Sequence, residues 1–255
     1  KGDKIMDIVF LCSIPRAGNT LLGSIINQNK KIKLSPNSIL LDIIHQLHSL
    51  KETPIFKNFP KHSSLDNVIN SCFTEYYKDW ESELIIDRGP WGTPVNLNLI
   101  KKLIKKPKFI ILLRPLEECL ASFAKLQIDN KKYTKNNINE YLFKIMDPET
   151  GVIGKNLWSI NNLIKNKEDY KIFYYKDLVN NTDVFLNDLS RYINYDVKKP
   201  ETLEQFNIHN TYYKDTDITN LHRINTESIK KSSYAIEDYL NYDMIQYIKM
   251  LPLHS

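Results

Sequence analysis

Arg16 stands inside the run Ser13-Ile14-Pro15-Arg16-Ala17-Gly18-Asn19-Thr20-Leu21-Leu22, a turn of small residues between an apolar stretch and a segment of helical period. A loop of this kind, opening a helix, presents backbone N–H groups and the positive end of a helix dipole, which together hold an anion. A guanidinium within it can fork onto phosphate or sulfate oxygens, and the Thr20 hydroxyl adds a donor at the helix start. The lysine that a nucleoside-triphosphatase loop places before its Ser/Thr is missing, because Asn19 occupies that position. The positive charge has moved from the end of the loop to its middle.

Two further arginines follow apolar runs. Arg114 ends residues 109–113, and Ser122 lies eight residues beyond it in a segment of helical period. Eight residues are about 2.2 helical turns, so a long arginine at the carboxyl end of a strand and a hydroxyl on the next helix can converge on one anion. Arg88 ends residues 83–87 and follows Asp87 directly. Asp42 and His45 sit three apart, hence on one face of a helix.

The elements that must position these residues repeat one pattern. Residues 7–12, 83–87, 108–113 and 170–175 read as strands, and residues 19–28, 93–104 and 116–126 as the helices after the first three. Short apolar strands alternating with helices predict an α/β fold: a P-loop-like central parallel sheet flanked by helices on both faces. Residues 39–50 and 65–80 are helical in period, and 129–139 reads as a solvated Lys/Asn-rich excursion; these insertions are expected to wall the acceptor side. Residues 141–165, 184–193 and 233–250 read as packing helices. With 255 residues, 42% of them hydrophobic, and no internal repeat or linker, the whole span 1–255 is expected to form a single domain. A net charge of +5 suits anionic ligands but is too small for a nucleic-acid surface. No apolar run approaches the roughly 20 residues of a membrane span, and nothing at the start reads as a signal peptide. Cys12, Cys72 and Cys119 have neither metal nor C-x-x-C spacing, which points to a reducing, cytoplasmic setting.

The run 13–22 resembles the 5'-phosphosulfate loop of the sulfotransferases, written P-[KR]-[SA]-G-[TN]-T, and its arginine is similar to that of the tyrosylprotein and related bacterial branches. The resemblance implies that Pro15, Arg16, Ala17, Gly18, Asn19, Thr20 and Leu21 bind the donor 3'-phosphoadenosine 5'-phosphosulfate (PAPS), with Arg16 also catalytic at the bridging oxygen. Arg114 and Ser122 resemble the family's 3'-phosphate signature. The run Tyr174-Tyr175-Lys176-Asp177-Leu178 resembles a Y-E-D-L segment that would bring Tyr175 to the donor, with Lys176 departing from the usual acid. Residues 221–231 resemble a late basic loop, which would add Arg223 and Lys230 to the 3'-phosphate. Arg88 stands where the tyrosylprotein enzymes carry a catalytic lysine. Two guanidiniums and the loop N–H groups would neutralise the transferring group, so no metal is expected.

An acceptor hydroxyl must also lose a proton. The tyrosylprotein branch carries a glutamate shortly after the first helix, but Ser35-Pro36-Asn37-Ser38 offers no acid or histidine there. Asp42, His45 and Asp87 are the candidate bases. The reading is a PAPS-dependent sulfotransferase acting on a small-molecule, glycan or peptide acceptor. A nucleoside or nucleotide kinase is the alternative enzyme, disfavoured by Asn19, and a non-catalytic binder of nucleotides or anionic glycans is the alternative of another class.

Overall fold

In the computed structural model, which describes residues 7–224, 227–230 and 235–251, five parallel strands form the centre. They are β1 (Asp7–Ser13), β2 (Ile32–Leu34), β3 (Leu84–Arg88), β4 (Phe109–Leu113) and β5 (Tyr170–Tyr174), in the order β2-β3-β1-β4-β5. Beyond the sheet a small antiparallel pair, β6 (Asn207–Ile208) and β7 (Thr211–Tyr212), lies in the late part of the chain. The helices in chain order are α1 (Asn19–Ile26), α2 (Leu40–Ser49), α3 (Pro54–Asn58), α4 (His62–Tyr76), α5 (Pro94–Leu103), α6 (Leu116–Asp129), α7 (Ile138–Ile145), α8 (Val152–Lys165), α9 (Tyr175–Asn180), α10 (Thr182–Ile193) and α11 (Tyr242–Lys249).

Alternation along the strands divides the core into two layers. Phe10, Cys12, Ile85, Phe109 and Ile111 point to one face, where residues of α2, α4, α5, α6, α7, α8 and α11 cover them. Val9, Leu11, Ile86, Ile110 and Leu112 point to the other, beneath α1, α9 and α10. A sheet covered on both faces needs the near-continuous apolar strands that the sequence shows. In the core Cys12 and Cys119 are buried as free thiols, and burial pushes them up to about 11 and about 12.

The architecture matches the expected class, with three differences in detail. β2 has only three residues at the sheet edge, too few to carry a periodic signal. The helix expected over 141–165 is two helices. Asp147 breaks it: its carboxylate accepts from the backbone N–H groups of Glu149 and Thr150 at 3.0 and 2.7 Å, and Gly151 then starts α8. The helix expected over 233–250 is confined, among the described residues, to a 3₁₀ turn at Ile236–Asp238 and to α11.

The chain builds β2 and β3 on one side of β1 and then crosses to build β4 and β5 on the other. The loop after β1 therefore opens at the switch point of the strand order, where a crevice forms beyond the carboxyl ends. Arg88 at the end of β3 and Arg114 just past β4 flank it. No helix among the described residues is long and apolar enough to cross a membrane.

Candidate active site

The loop 13–20 is locked from within. Asn19, the residue in the place of the triphosphatase lysine, is buried; it accepts from the Ser13 hydroxyl and donates from Nδ2 to the Ile14 carbonyl at 2.9 Å. Its side chain thus holds the turn closed and carries no charge. Gly18 has φ +100° and packs under Tyr175, so that a Cβ there would stand 2.6 Å from the ring. Both the dihedral and the contact require glycine. α1 starts at the next residue, and its first N–H groups have no partner within the helix.

Arg16 is a non-glycine residue at φ 69°. Its Nε donates to Ser122 Oγ at 3.1 Å and its Nη1 to the Leu221 carbonyl at 2.5 Å, while its own carbonyl accepts from Arg114 Nη1 at 3.1 Å. Arg114 is only 7% exposed; it pairs with Glu118 at 2.9 Å and lies over the Tyr175 ring at 4.3 Å. The loop arginine and the helix serine, read from the sequence as serving opposite ends of a donor, are thus bonded to each other.

These groups line one cleft of about 860 Å³ with Pro15, Gly18, Asn19, Thr20, Leu21, Arg88, Tyr175, Arg223 and Lys230. That volume lies in the range of ligand sites, roughly 300–1,000 Å³. Ala17 is buried in the turn and shapes it without lining the cleft. Arg223 and Lys230 are exposed at the rim; Lys231 lies outside the described residues. The far wall comes from an unexpected place. None of the insertions expected there, residues 39–50, 65–80 and 129–139, lines the cleft; Asn37, ahead of α2, does, and Thr150, Gly151, Val152, Lys155 and Asn156 at the start of α8 form a wall. The break at Asp147 turns α8 so that its first residues face the crevice.

Arg88 and Asp87 point to opposite sides of β3, and no ion pair joins them. Asp87 is 0% exposed and accepts from the hydroxyls of Tyr77 at 2.7 Å, Ser38 at 3.0 Å and Ser35 at 3.2 Å. Burial pushes its carboxyl up to about 6, against the pull of those hydrogen bonds. Asp87 does not line the cleft, and neither do the other two expected bases. Asp42 is exposed on α2, and His45 is bonded through Nε2 to Asn96 Oδ1 at 2.5 Å. On the cleft's lining the three candidate bases stand apart from Arg16 and Arg88.

The sequence reading singled out residues 221–231 as a basic loop but missed the stretch before it, with which it forms one strap along the cleft. Phe206 sits on Gly23 of α1, where an added Cβ would fall 2.1 Å from its ring. Gln205 and Ile224 bond to each other, Asn130 holds Thr219 by two hydrogen bonds, and Leu221 is held by Arg16. Within this strap the Tyr213 and His222 rings stack at 3.8 Å and 6°, and Asp215 holds His222 Nδ1 at 2.8 Å. Tyr213 lies beside Arg88: burial raises its hydroxyl pKa while the guanidinium pulls it down, though the pair stops short of ordinary hydrogen-bond geometry. Burial likewise lowers Arg88. Among the described residues no group of three His, Cys, Asp or Glu side chains is placed to hold a metal ion.

Residues 6–242 match the family model described as the sulfotransferase domain. Among solved structures, the sulfotransferase domain of the curacin biosynthetic pathway superimposes with a TM-score of 0.51 at 17% identity, covering 77% of this chain and 76% of that one. A sulfotransferase from Alicyclobacillus acidocaldarius does so with a TM-score of 0.51 at 12% identity, over 77% and 84% of the two chains. No curated protein sequence matches the chain.

Proposed function

This chain belongs to the sulfotransferase family, and we propose that it moves a sulfuryl group from PAPS to an acceptor hydroxyl by in-line displacement. The observation that carries the reading is the convergence of Arg16, Arg88 and Arg114 on one cleft built around an anion-binding loop. The residues present fit such a donor. Residues 15–21 and the start of α1 would hold its 5'-phosphosulfate; Arg114 and Ser122, with Arg223 and Lys230 at the rim, would hold its 3'-phosphate, and Tyr175 backs both by packing on Gly18 and Arg114.

The transferring group spreads charge onto its equatorial and leaving oxygens, so catalysis consists of positioning and fixed positive charge. Arg16 supplies that charge at the phosphate loop. Arg88 supplies it from β3, in a part-buried place where a guanidinium is only weakly screened. The wall at the start of α8 receives the acceptor, which is a small molecule, a glycan or a peptide. The reduced thiols suit a cytoplasmic setting.

Thermal-shift measurements with 3'-phosphoadenosine 5'-phosphate (PAP), ATP with magnesium, and heparin test the reading. A sulfotransferase is stabilised most by PAP, and without metal. A larger shift with ATP and magnesium would favour a kinase, and one with heparin alone a glycan binder.

A further inference from the structure

The acceptor's proton needs a destination, and the three acids and bases expected from the sequence do not face the cleft. We propose that His222 is the general base of the transfer and that Asp215 is its positioning residue. The proposal rests on the sulfuryl-transfer reading and adds to it the group that activates the acceptor.

Geometry carries the case. His222 lines the cleft with Arg16 and Arg88. Its Nδ1 is turned to Asp215 Oδ1 at 2.8 Å, and its backbone N–H donates to the other oxygen of the same carboxylate at 3.2 Å. The carboxylate therefore fixes the tautomer with the proton on Nδ1 and leaves the lone pair on Nε2, the one ring nitrogen able to accept a substrate proton. The face of the ring is fixed too, since Tyr213 stacks on it at 3.8 Å. The two side chains are only 16% and 17% exposed, so this pair is held in one arrangement, unlike a solvated surface pair. A base oriented by a carboxylate, itself within a fixed frame, is the arrangement that makes an imidazole effective in proton abstraction.

The surroundings keep the imidazole ready. Burial lowers its pKa from the ordinary value; Asp215 opposes this, and Arg88 from β3 and Arg16 from the phosphate loop reinforce it. Burial and the two guanidiniums thus favour the neutral ring, the form a base needs. In the step itself the acceptor oxygen attacks sulfur and its proton passes to His222 Nε2. The bond between sulfur and the bridging oxygen breaks, and the leaving phosphate of PAP takes the electron pair. The imidazolium then returns its proton to solvent.

The strap gives the proposal a further consequence, because its anchor at Leu221 is Arg16 of the phosphate loop. The base is therefore positioned by the same residue that meets the donor.

The test pairs turnover with a measurement that needs no acceptor. His222→Gln and Asp215→Asn are compared with wild type in sulfuryl transfer from PAPS to phenols of graded acidity, and in PAP affinity. His222→Gln is expected to lose about 10²–10⁴-fold in kcat with PAP affinity within threefold of wild type. The loss should be steepest for the least acidic phenols, and the acid limb of the wild-type pH profile should vanish. Asp215→Asn should lose less, and should move that limb. In the PAP complex, ¹⁵N-histidine spectra should show His222 protonated at Nδ1 in wild type and not in Asp215→Asn. Wild-type turnover in His222→Gln, an acid limb that survives it, or a proton on Nε2 would overturn the proposal. Failure of the underlying reading looks different, as wild-type protein that binds no PAP.

Discussion

Arg16 Nε and Ser122 Oγ share a hydrogen bond of 3.1 Å across 106 residues of chain. It ties the phosphate loop after β1 to the helix after β4, the two places that would hold opposite ends of the proposed donor. The cleft is therefore continuous, and a change at either end is felt at the other.

Arg114→Ala is expected to weaken PAP binding by about 2–5 kcal/mol, the usual penalty for removing one partner of a part-buried charged contact. The substitution also strips Glu118 of its partner, so the comparison belongs in a Glu118→Gln background, with calorimetry and melting temperature read together. Ser122→Ala should cost less, about 1 kcal/mol. In both variants the preference for PAP over adenosine 5'-phosphate, which lacks the 3'-phosphate, should shrink. Retained preference would remove these residues from the 3'-phosphate site.

Arg88→Ala is expected to lower turnover by about 10²–10³-fold and to leave PAP affinity nearly unchanged. PAP carries no sulfuryl group, so a cation aimed at that group acts on the transition state alone. Arg88→Lys should recover part of the rate by restoring charge without the planar fork. The lack of any ion pair to Asp87 sharpens this test, since the melting temperature should barely move. Full turnover in a stably folded Arg88→Ala would take the arginine out of the mechanism.

Gly18→Ala should lower the melting temperature and abolish PAP-induced stabilisation. The backbone at φ +100° disfavours any side chain, by about 1–3 kcal/mol, and the new methyl meets Tyr175 at 2.6 Å. Relief of the contact by Tyr175→Ala should restore only part of the stability, because the dihedral penalty remains. Full restoration would show that the contact alone matters.

Asp87 makes stability depend on pH in an unusual direction. Its carboxyl stands at about 6 in the fold against an ordinary 3.8, so the protonated form is favoured by folding. The contribution is fully present below about pH 4 and is lost as the pH rises through 6, to an extent on the order of 3 kcal/mol. Asp87→Asn removes that loss. Urea denaturation between pH 4 and 7 should show the variant gaining on wild type as pH rises, and a constant difference would sink the assignment.

Much of the cleft's lining was legible because it is built from strand ends. The alternation of apolar runs with helices marks where β1, β3 and β4 stop, and Arg16, Arg88 and Arg114 stand at or just beyond those ends. The acceptor side follows no such rule. Helical spacing put Asp42 and His45 on one face, but spacing does not say which face meets the cleft, and Asn96 takes His45. The Asp147 break could have been seen in Asp147-Pro148, a pair that disfavours helix, and with it the turn that brings α8 to the crevice. The pairing of His222 with Asp215 had no sequence signal beyond a histidine beside Arg223. It depends on how an irregular strap folds onto α1 and α6, through contacts as separate in sequence as Phe206 with Gly23 and Asn130 with Thr219.

Arg16 holds a left-handed backbone that costs a non-glycine residue about 1–3 kcal/mol. Its carbonyl is held by Arg114 and its guanidinium by Ser122 and Leu221, so this conformation is set when the chain folds and does not wait for a ligand. The entropy of ordering the loop is thereby spent once in the lifetime of the molecule and not at every encounter. Affinity for a ligand and part of the overall stability are in this sense exchanged for one another at a single residue.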